Sequence, residues 1–251
     1  RVGPSWHAGI PHSPFPIPHS RQQAAVSHNL ANVSTSGFRQ ELNVFRALPV
    51  VGEGARTRAF VVETTPRTDF SQGAIQVTGR PLDVAVKGAG WIAVRDAAGQ
   101  EAYTRMGNLH VSQNGILQTV NGLGLVGDAG PLALPPDQDV LIAKDGTVST
   151  VPIGQDLASV AIAGRIKRVN PPERDLVRGE DGLFRLASGR PAETDANVEL
   201  ISGALESGNV NPAEALVNMV SLARQFEMQM KVLSAAQENH RSADKMLTLT
   251  A

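Results

Sequence analysis

The chain has 251 residues, 41% of them hydrophobic, so it is long and apolar enough to bury one large core or two smaller ones. Its 23 basic and 24 acidic residues give a formal net charge of -1. Proteins that bind nucleic acid or acidic membranes normally carry a strong basic excess, so this balance argues against both classes of partner. Cysteine is absent, which excludes a disulfide framework and a thiolate metal site.

The N-terminal twenty residues contain five prolines. Proline lacks a backbone donor and interrupts helices, so residues 1–20 are expected to form an extended or disordered arm. The arm also contains His7, His12 and His19, which could capture a metal ion adventitiously, but a flexible segment does not predict a metal site. No signal-peptide pattern is present, so we expect any export to use a route without a cleaved leader.

A helical segment is predicted from Arg21 to about Asn32, followed by a linker, so that residues 21–58 form one region. A short run of small polar residues and glycine, residues 34–37, ends the helix. The apolar face of the predicted helix consists of Ala25, Val26, Leu30 and Val33.

The region from residue 59 to residue 202 is predicted to be β-rich. β-prone segments, such as residues 91–94 and 160–169, alternate with tight turns. Short strands joined by tight turns indicate an antiparallel sandwich or barrel-like domain, and the fold class is therefore α+β. The turn signals lie at residues 96–99 and at Asn114-Gly115, Asn121-Gly122, Asp145-Gly146 and Asp181-Gly182.

A long helix is predicted in the C-terminal region, residues 203–251. Asn211 is suited to the N-cap, Pro212 to the first helical position and Glu214 to the acidic position of a capping box. A helix from Pro212 to Leu247 would be roughly 54 Å long at 1.5 Å per residue, far longer than an average globular helix.

The C-terminal helix carries apolar residues at alternating spacings of three and four. This pattern, the heptad line, is typical of a coiled coil and predicts a partner helix. A second stripe and a polar continuation argue against a simple two-stranded zipper. The sequence leaves open an alternative in which the stripes pack on the β-rich domain or on the first helix of the same chain. The heptad line consists of Leu216, Met219, Ala223, Phe226, Met230 and Leu233, and the second stripe of Met228, Val232, Ala235, Ala236, Ala243 and Met246.

Residues 122–127 match the dinucleotide-binding pattern G-x-G-x-x-G. That motif requires a following helix whose N-terminus faces the pyrophosphate, whereas prolines and a further glycine follow here. We therefore interpret these glycines as turn and strand-approach positions.

Other motifs give equally little support for catalysis. Ser242 and Lys245 have the S-x-x-K spacing of serine acyl-transferring enzymes but lack the companion motifs. The basic residues Arg165, Lys167 and Arg168 are interpreted as part of a solvated strand. No catalytic, cofactor-binding or metal-binding residue is predicted.

Three blocks in the chain resemble those of bacterial flagellar rod and hook proteins. Residues 28–39 resemble the signature N-N-L-A-N-x-x-T-x-G-[FY], with His28 in place of its first asparagine. Residues 78–91, continued by 103–108, resemble the segment that opens the family's β domain. Residues 203–211, followed by 224–228, resemble its C-terminal signature. The blocks occur in family order.

The resemblance implies a structural subunit of the flagellar driveshaft, without enzyme activity, cofactor, nucleic acid or small-molecule substrate. Residues 90–94 and 223–231 are most similar to a proximal-rod protein, and a distal-rod subunit is the alternative. Export through the flagellar type III apparatus and assembly with other rod subunits in the periplasm are implied as well. Outside this family, the alternative is a β-rich ligand-binding or enzymatic domain with a dimerising C-terminal helix.

In the family architecture, the N- and C-terminal helices pair in a coiled-coil-like rod domain. Family members begin with a further stretch of amphipathic helix, whereas this sequence has prolines there, which indicates a truncated helix or a frame or start-site error. The residues expected at the assembly interface are Leu30, Asn32, Leu216, Met219, Ala223, Phe226, Met230 and Leu233.

Overall fold

The structure is a computed structural model that describes residues 17–49, 59–63, 67–135, 138–154 and 159–248. Its described part has the predicted α+β composition, with short strands between an N-terminal and a C-terminal helix. None of the described helices is long and apolar enough to cross a membrane.

The chain divides into two compact units. The helical unit comprises the described residues of Arg1–His28, Leu42–Arg67 and Ala213–Ala251, and the β unit those of Asn29–Glu41 and Thr68–Pro212. This division differs from the predicted boundaries at residues 58 and 202. Residues 29–41 and 203–212, which the sequence assigned to the terminal helical regions, belong to the β unit.

Helix α1 spans Ile17–Ala31. Its first turn corrects one prediction, because residues 17–20 are helical and not part of an extended arm. Pro18 is tolerated there since the first turn of a helix needs no intrahelical backbone donor. The rest of the predicted arm, with His7 and His12, lies outside the described residues, as does the side chain of His19.

The strands are short and cover both units. In the first half of the chain they are β1 (Glu41–Leu42), β2 (Phe45–Pro49), β3 (Ala59–Glu63), β4 (Arg67–Thr68), β5 (Ile75–Val77), β6 (Val84–Lys87), β7 (Trp91–Arg95), β8 (Glu101–Thr104), β9 (Leu109–Val111) and β10 (Leu117–Thr119). In the second half they are β11 (Gly124–Gly127), β12 (Gly130–Pro131), β13 (Gln138–Ile142), β14 (Thr147–Pro152), β15 (Ala161–Arg165), β16 (Arg168–Val169), β17 (Leu176–Arg178), β18 (Phe184–Leu186), β19 (Glu199–Ser202) and β20 (Ala204–Glu206).

The largest sheet of the β unit follows the order β17-β18-β8-β7-β11-β10-β9, with β12 paired to β11 and β16 to β7. This path has two ends, so the sheet is open and not closed into a barrel. Strands β13, β14 and β15 form a separate three-stranded sheet, and β6 and β5 pair with β19 and β20. The pairings within these sheets are antiparallel, as predicted. In the helical unit, β2 pairs antiparallel with β3.

The five predicted tight turns are confirmed. Each joins two consecutive antiparallel strands, and each places a glycine in the left-handed region, at φ between 75° and 81°. Glycine adopts this conformation without the steric penalty that a Cβ imposes. The glycines are Gly99, Gly115, Gly122, Gly146 and Gly182.

Strand β7 lies at the centre of the β unit and is buried on both faces. Ile92 and Val94 pack into one hydrophobic cluster, whereas Trp91 and Ala93 pack into a second. Successive side chains of a strand point to opposite faces, so an uninterrupted apolar run requires apolar material on each side. The open sheet therefore has a core on both of its faces.

Helix α2 spans Pro212–Thr248 and begins at the predicted proline. Its 37 residues correspond to roughly 55 Å at 1.5 Å per residue.

Candidate assembly surface and its anchoring cluster

The heptad line on α2 is largely accessible to solvent. Phe226 exposes 51% of its surface, and Leu216, Met230 and Leu233 are exposed to a similar extent. Ala223 is exposed too, whereas Met219 is half-buried. These large apolar side chains are therefore available to a partner.

Among residues 212–242 of α2, whose side chains the structure describes, the buried ones do not belong to the heptad line. They are Ala215 and Leu222, each directly preceding a heptad-line residue. From residue 223 to residue 242 every side chain of α2 is exposed. The alternative in which the heptad line is a core stripe of the single chain is therefore not observed along this stretch.

The second stripe is exposed as well. Met228 and Val232 present more than half of their surface, and Ala235 and Ala236 are exposed. The side chains of Ala243 and Met246 lie outside the described part of the chain. Two apolar faces of the same helix are thus open.

The other two predicted interface residues, Leu30 and Asn32, are half-buried and belong to the β unit. The carbonyl oxygen of Asn32 accepts a hydrogen bond from the backbone N–H of Thr35 at 3.0 Å, and its side-chain oxygen accepts one from the Thr35 hydroxyl at 3.2 Å. Asn32 therefore holds the turn that follows α1.

A buried group of polar residues in the β unit carried no predicted role. We call Arg39, Arg105 and Glu206, together with the backbone N–H of the half-buried Gly73, the anchoring cluster. Glu206 is 1% exposed, and its Oε1 lies 2.7 Å from Nη2 of Arg39 and accepts the backbone N–H of Gly73 at 2.9 Å. Its Oε2 accepts a hydrogen bond from Nη1 of Arg105 at 2.8 Å. One carboxylate thus joins three segments that are distant in sequence.

The backbone of Glu206 adds two further contacts. Its carbonyl oxygen accepts the backbone N–H of Gly37 at 2.8 Å and the hydroxyl of Ser36 at 3.0 Å. Both donors lie in the turn after α1, whereas Glu206 lies on β20, shortly before α2. Hydrogen bonds therefore join the segment that follows α1 to the segment that precedes α2.

Two buried cations in the anchoring cluster face a single carboxylate. The guanidinium carbons of Arg39 and Arg105 lie 5.9 Å and 5.4 Å from the ring centre of Trp91, where the negative face of the aromatic system attracts them. Burial lowers the pKa of the Arg105 guanidinium, although Glu206 opposes this shift. Within the described residues, all three guanidinium nitrogens of Arg39 and Nε of Arg105 lack a hydrogen-bond partner of good geometry, so the 2.7 Å contact between Arg39 and Glu206 is an ion pair.

Two glycines permit the close approach of these segments. Gly37 has a φ of +69°, and a Cβ there would lie 2.3 Å from the carbonyl carbon of Arg105. A Cβ on Gly73 would lie 1.8 Å from the carbonyl oxygen of Ser207. Both distances are shorter than any side chain tolerates, so glycine is required at both positions.

The anchoring cluster draws on all three blocks that carried the resemblance. Arg39 ends the first, Arg105 belongs to the second and Glu206 to the third. Sequence reasoning noted these blocks but assigned their charged residues no role. The signal it could have used is an acidic residue two positions after Ala204 in a β-prone segment, since strand alternation places the two on one face and a buried carboxylate there needs a partner.

The G-x-G-x-x-G segment has the predicted turn-and-strand structure. Gly122 occupies a turn, and Gly124 begins β11, which β12 follows in place of a helix. A Cβ on Gly127 would lie 2.9 Å from the carbonyl oxygen of Gly130. The close approach of the neighbouring strand therefore explains why residue 127 is a glycine.

The basic residues of the 160–169 segment are not uniformly solvated. Arg165 pairs with Asp145 at the surface, at 3.2 Å, and Lys167 pairs with Glu101 at 2.8 Å. Arg168 is buried and donates to the carbonyl oxygen of Val198. The prediction of a solvated strand was therefore wrong for Arg168, which faces inward on the same side as the buried Ile166, two residues earlier.

No metal-binding group of histidine and acidic side chains occurs within the described residues. Ser242 of the S-x-x-K motif donates its hydroxyl to the carbonyl oxygen of Glu238, at 2.9 Å, inside α2. This bond is an ordinary helix contact.

Comparisons with known proteins identify the family of the chain. Residues 85–150 match the family described as flagellar hook protein FlgE/F/G D1 domain, and residues 201–246 match flagellar basal body rod FlgEFG protein C-terminal. Over 235 residues, the chain is 42% identical to the flagellar basal-body rod protein FlgF of Salmonella typhimurium, covering 91% of this chain and 93% of the relative. The chain belongs to the flagellar basal-body rod protein family.

Other members of the rod protein family are also similar over most of their length. FlgF of Escherichia coli is also 42% identical over 91% of this chain and 93% of its own length. FlgG of Buchnera aphidicola is 30% identical over 85% of this chain and 89% of its own length. The similarity to rod proteins therefore covers both units.

Proposed function

We propose that this chain is a structural subunit of the proximal rod of the flagellar basal body, which assembles with other rod proteins into the driveshaft that transmits motor torque. The observation that carries the proposal is the exposed heptad line on α2 in a member of the rod protein family. Torque passes through packed interfaces in such a device, so no catalytic residue or cofactor is needed.

The exposed apolar residues supply the energy for assembly. Complete burial of a large apolar side chain contributes about 1.5–3 kcal/mol, so burial of the exposed half of one contributes roughly 1 kcal/mol. Leu216, Phe226, Met230 and Leu233 are each about half exposed. Together these residues would contribute about 4 kcal/mol per helix, before the residues of the second stripe are included.

We infer that the terminal helices form the rod core while the β-rich domain lies outside it. In this arrangement α1 and α2 pair in a coiled-coil-like manner and contact the helices of neighbouring subunits, with Leu30 and Asn32 at the same interface. A head-to-tail contact that does not close on itself generates a helical filament. Two open apolar faces on α2 support contact with several neighbours over contact with one.

The proposed location is the periplasmic rod, reached through the flagellar type III export apparatus without a cleaved signal peptide. Family membership supports this route. Identity to relatives named FlgF ranges from 30% to 42%, whereas identity to those named FlgG ranges from 29% to 31%. The higher upper value supports the proximal rod over the distal-rod alternative.

Imaging of basal bodies tests the proposal. A short epitope is inserted between Ala98 and Gly99, in an exposed hairpin of the β unit, and the tagged gene replaces the chromosomal copy in the source organism. We expect motile cells, label on the rod of isolated basal bodies and loss of motility on deletion of the gene. Motile deletion cells, or basal bodies without label, would contradict the function. The position of the label along the rod distinguishes proximal from distal.

A further inference from the structure

We propose that Glu206 is a positioning residue, which fixes where α1 ends and α2 begins relative to the β unit and is therefore required for rod assembly beyond its contribution to folding. The inference rests on the proposed function, because its consequence is measured as incorporation into the rod. It concerns the anchoring cluster, which lies entirely in the β unit.

The location of Glu206 gives the first argument. Its carbonyl oxygen accepts the N–H of Gly37, shortly after α1 ends at Ala31, while its own strand β20 leads to α2, which begins at Pro212. Of the four points at which the chain passes between the units, the two that connect the β unit to the terminal helices thus lie close in sequence to contacts made by one residue. A displacement of Glu206 would move both at once.

The directionality of its contacts gives the second argument. The backbone N–H of Gly73 and Nη1 of Arg105 approach different oxygens of the carboxylate, and Nη2 of Arg105 donates to the carbonyl oxygen of Gly88 at 2.7 Å. Hydrogen bonds to several fixed donors restrict both the position and the rotation of the carboxylate. The side chain therefore sets a geometry that apolar packing alone does not define.

The energetic cost of the cluster gives the third argument. Removing three charged groups from water is expensive, and apolar residues of similar volume often provide equal or greater stability in such a site. The unpaired donors on Arg39 and Arg105 add to this cost. A cluster that served stability alone would be replaceable by apolar residues, whereas a positioning cluster would not.

The test separates folding from assembly. The variant Glu206→Leu/Arg39→Met/Arg105→Met removes all three charges and retains volume. The matched control is Lys87→Met/Glu199→Leu, which removes an exposed ion pair of 2.8 Å between the neighbouring strands β6 and β19. Folding is measured as the urea midpoint of Trp91 fluorescence in a Trp6→Phe background, and assembly as the amount of each chain in isolated basal bodies.

We expect the triple variant to keep the midpoint of the wild-type chain and to be incorporated about tenfold less, because assembly requires preorganised geometry. The control variant should match the wild-type chain in both measurements. Normal incorporation of the folded triple variant would overturn the inference.

A second variant decides the case in which the triple variant does not fold. Glu206→Asp keeps the charge but shortens the side chain by one methylene, so the carboxylate no longer reaches all its donors. We expect this variant to fold and to be incorporated less than the wild-type chain. Incorporation of Glu206→Asp at the wild-type level would overturn the inference. Absence of the wild-type chain itself from basal bodies would contradict the proposed function. That outcome is distinguishable from failure of the positioning role of Glu206, which requires a wild-type chain that is incorporated.

Discussion

The side-chain oxygen of Asn209 accepts a hydrogen bond from the backbone N–H of Gln40 at 2.7 Å, although the two residues are 169 positions apart. The amide nitrogen of the same side chain donates to the carbonyl oxygens of Asp69 and Ser71 at 2.9 Å and 3.1 Å. The backbone N–H of Asn209 donates to the carbonyl oxygen of Phe38 at 3.3 Å. One asparagine therefore satisfies backbone groups in two distant segments, residues 38–40 and 69–71.

We expect Asn209→Ala to destabilise the β unit by about 2–3 kcal/mol, because it leaves several backbone groups without their partner. Urea unfolding followed by Trp91 fluorescence measures this change. The control is Asn197→Ala. Among the described residues, the side-chain amide of Asn197 donates only to Asp195, in an exposed turn, so this substitution should change the stability by less than about 0.5 kcal/mol. Equal effects of the two substitutions would contradict the role of Asn209.

Gly37→Ala should be strongly destabilising, by at least about 3 kcal/mol, because it combines an unfavourable φ with a backbone clash. Gly99 is the matched control, since its φ is +78° but a Cβ there would meet nothing within 4 Å. Gly99→Ala should therefore show only the conformational penalty, about 1 kcal/mol. Urea unfolding measures the stability of both variants. Similar losses of stability would show that the close approach of the Arg105 backbone to Gly37 is unimportant.

Tyr103 is the only tyrosine of the chain, so its titration can be observed directly. Burial, with a contribution from Glu101 3.0 Å away, raises its pKa to about 12, while the N–H of Ala192 opposes the shift. Because the folded pKa exceeds the unfolded value of about 10, the associated stability is present below pH 10 and is lost as the pH rises towards 12.

The ultraviolet absorbance of tyrosinate measures this titration, and circular dichroism verifies that the chain remains folded. Glu101→Gln should lower the pKa while burial keeps it above the ordinary value. A folded chain whose tyrosine titrates near pH 10 would contradict the burial of the hydroxyl.

Phe226→Asp should block incorporation into the rod, because it would place a charge inside the proposed interface. The stability of the isolated chain should change little, since Phe226 is half exposed. The control is Ser221→Asp, which introduces the same charge at an exposed position of α2 outside both apolar stripes. Motility in a complemented strain measures incorporation, and normal motility with Phe226→Asp would exclude the heptad line from assembly.

Features of the fold that depend on local sequence could be predicted. The five glycine turns and the start of α2 at Pro212 depend on backbone conformations that one or two neighbouring residues determine. The prediction was wrong for residues 17–20 because proline is compatible with a first helical turn, and its effect depends on where the helix begins.

The anchoring cluster could not be predicted in the same way. Arg39 and Glu206 are 167 positions apart, and 24 acidic residues in the chain offer carboxylates for any arginine. Pattern and spacing do not select among them, since the pairing depends on which strands the fold brings together. The burial of Arg168 was missed for a related reason. Strand alternation separates Arg168 from Arg165 and Lys167, but which of the two faces is buried depends on what packs against it.

The sequence by itself determined the class of elements and, through its three signature blocks, the family to which the chain belongs. Only the tertiary structure decided that residues 29–41 and 203–212 join the β unit, that Glu206 unites them, and that the heptad line stays exposed. Local propensity acts through neighbouring residues, whereas burial and ion pairing depend on the packing of segments far apart in the chain.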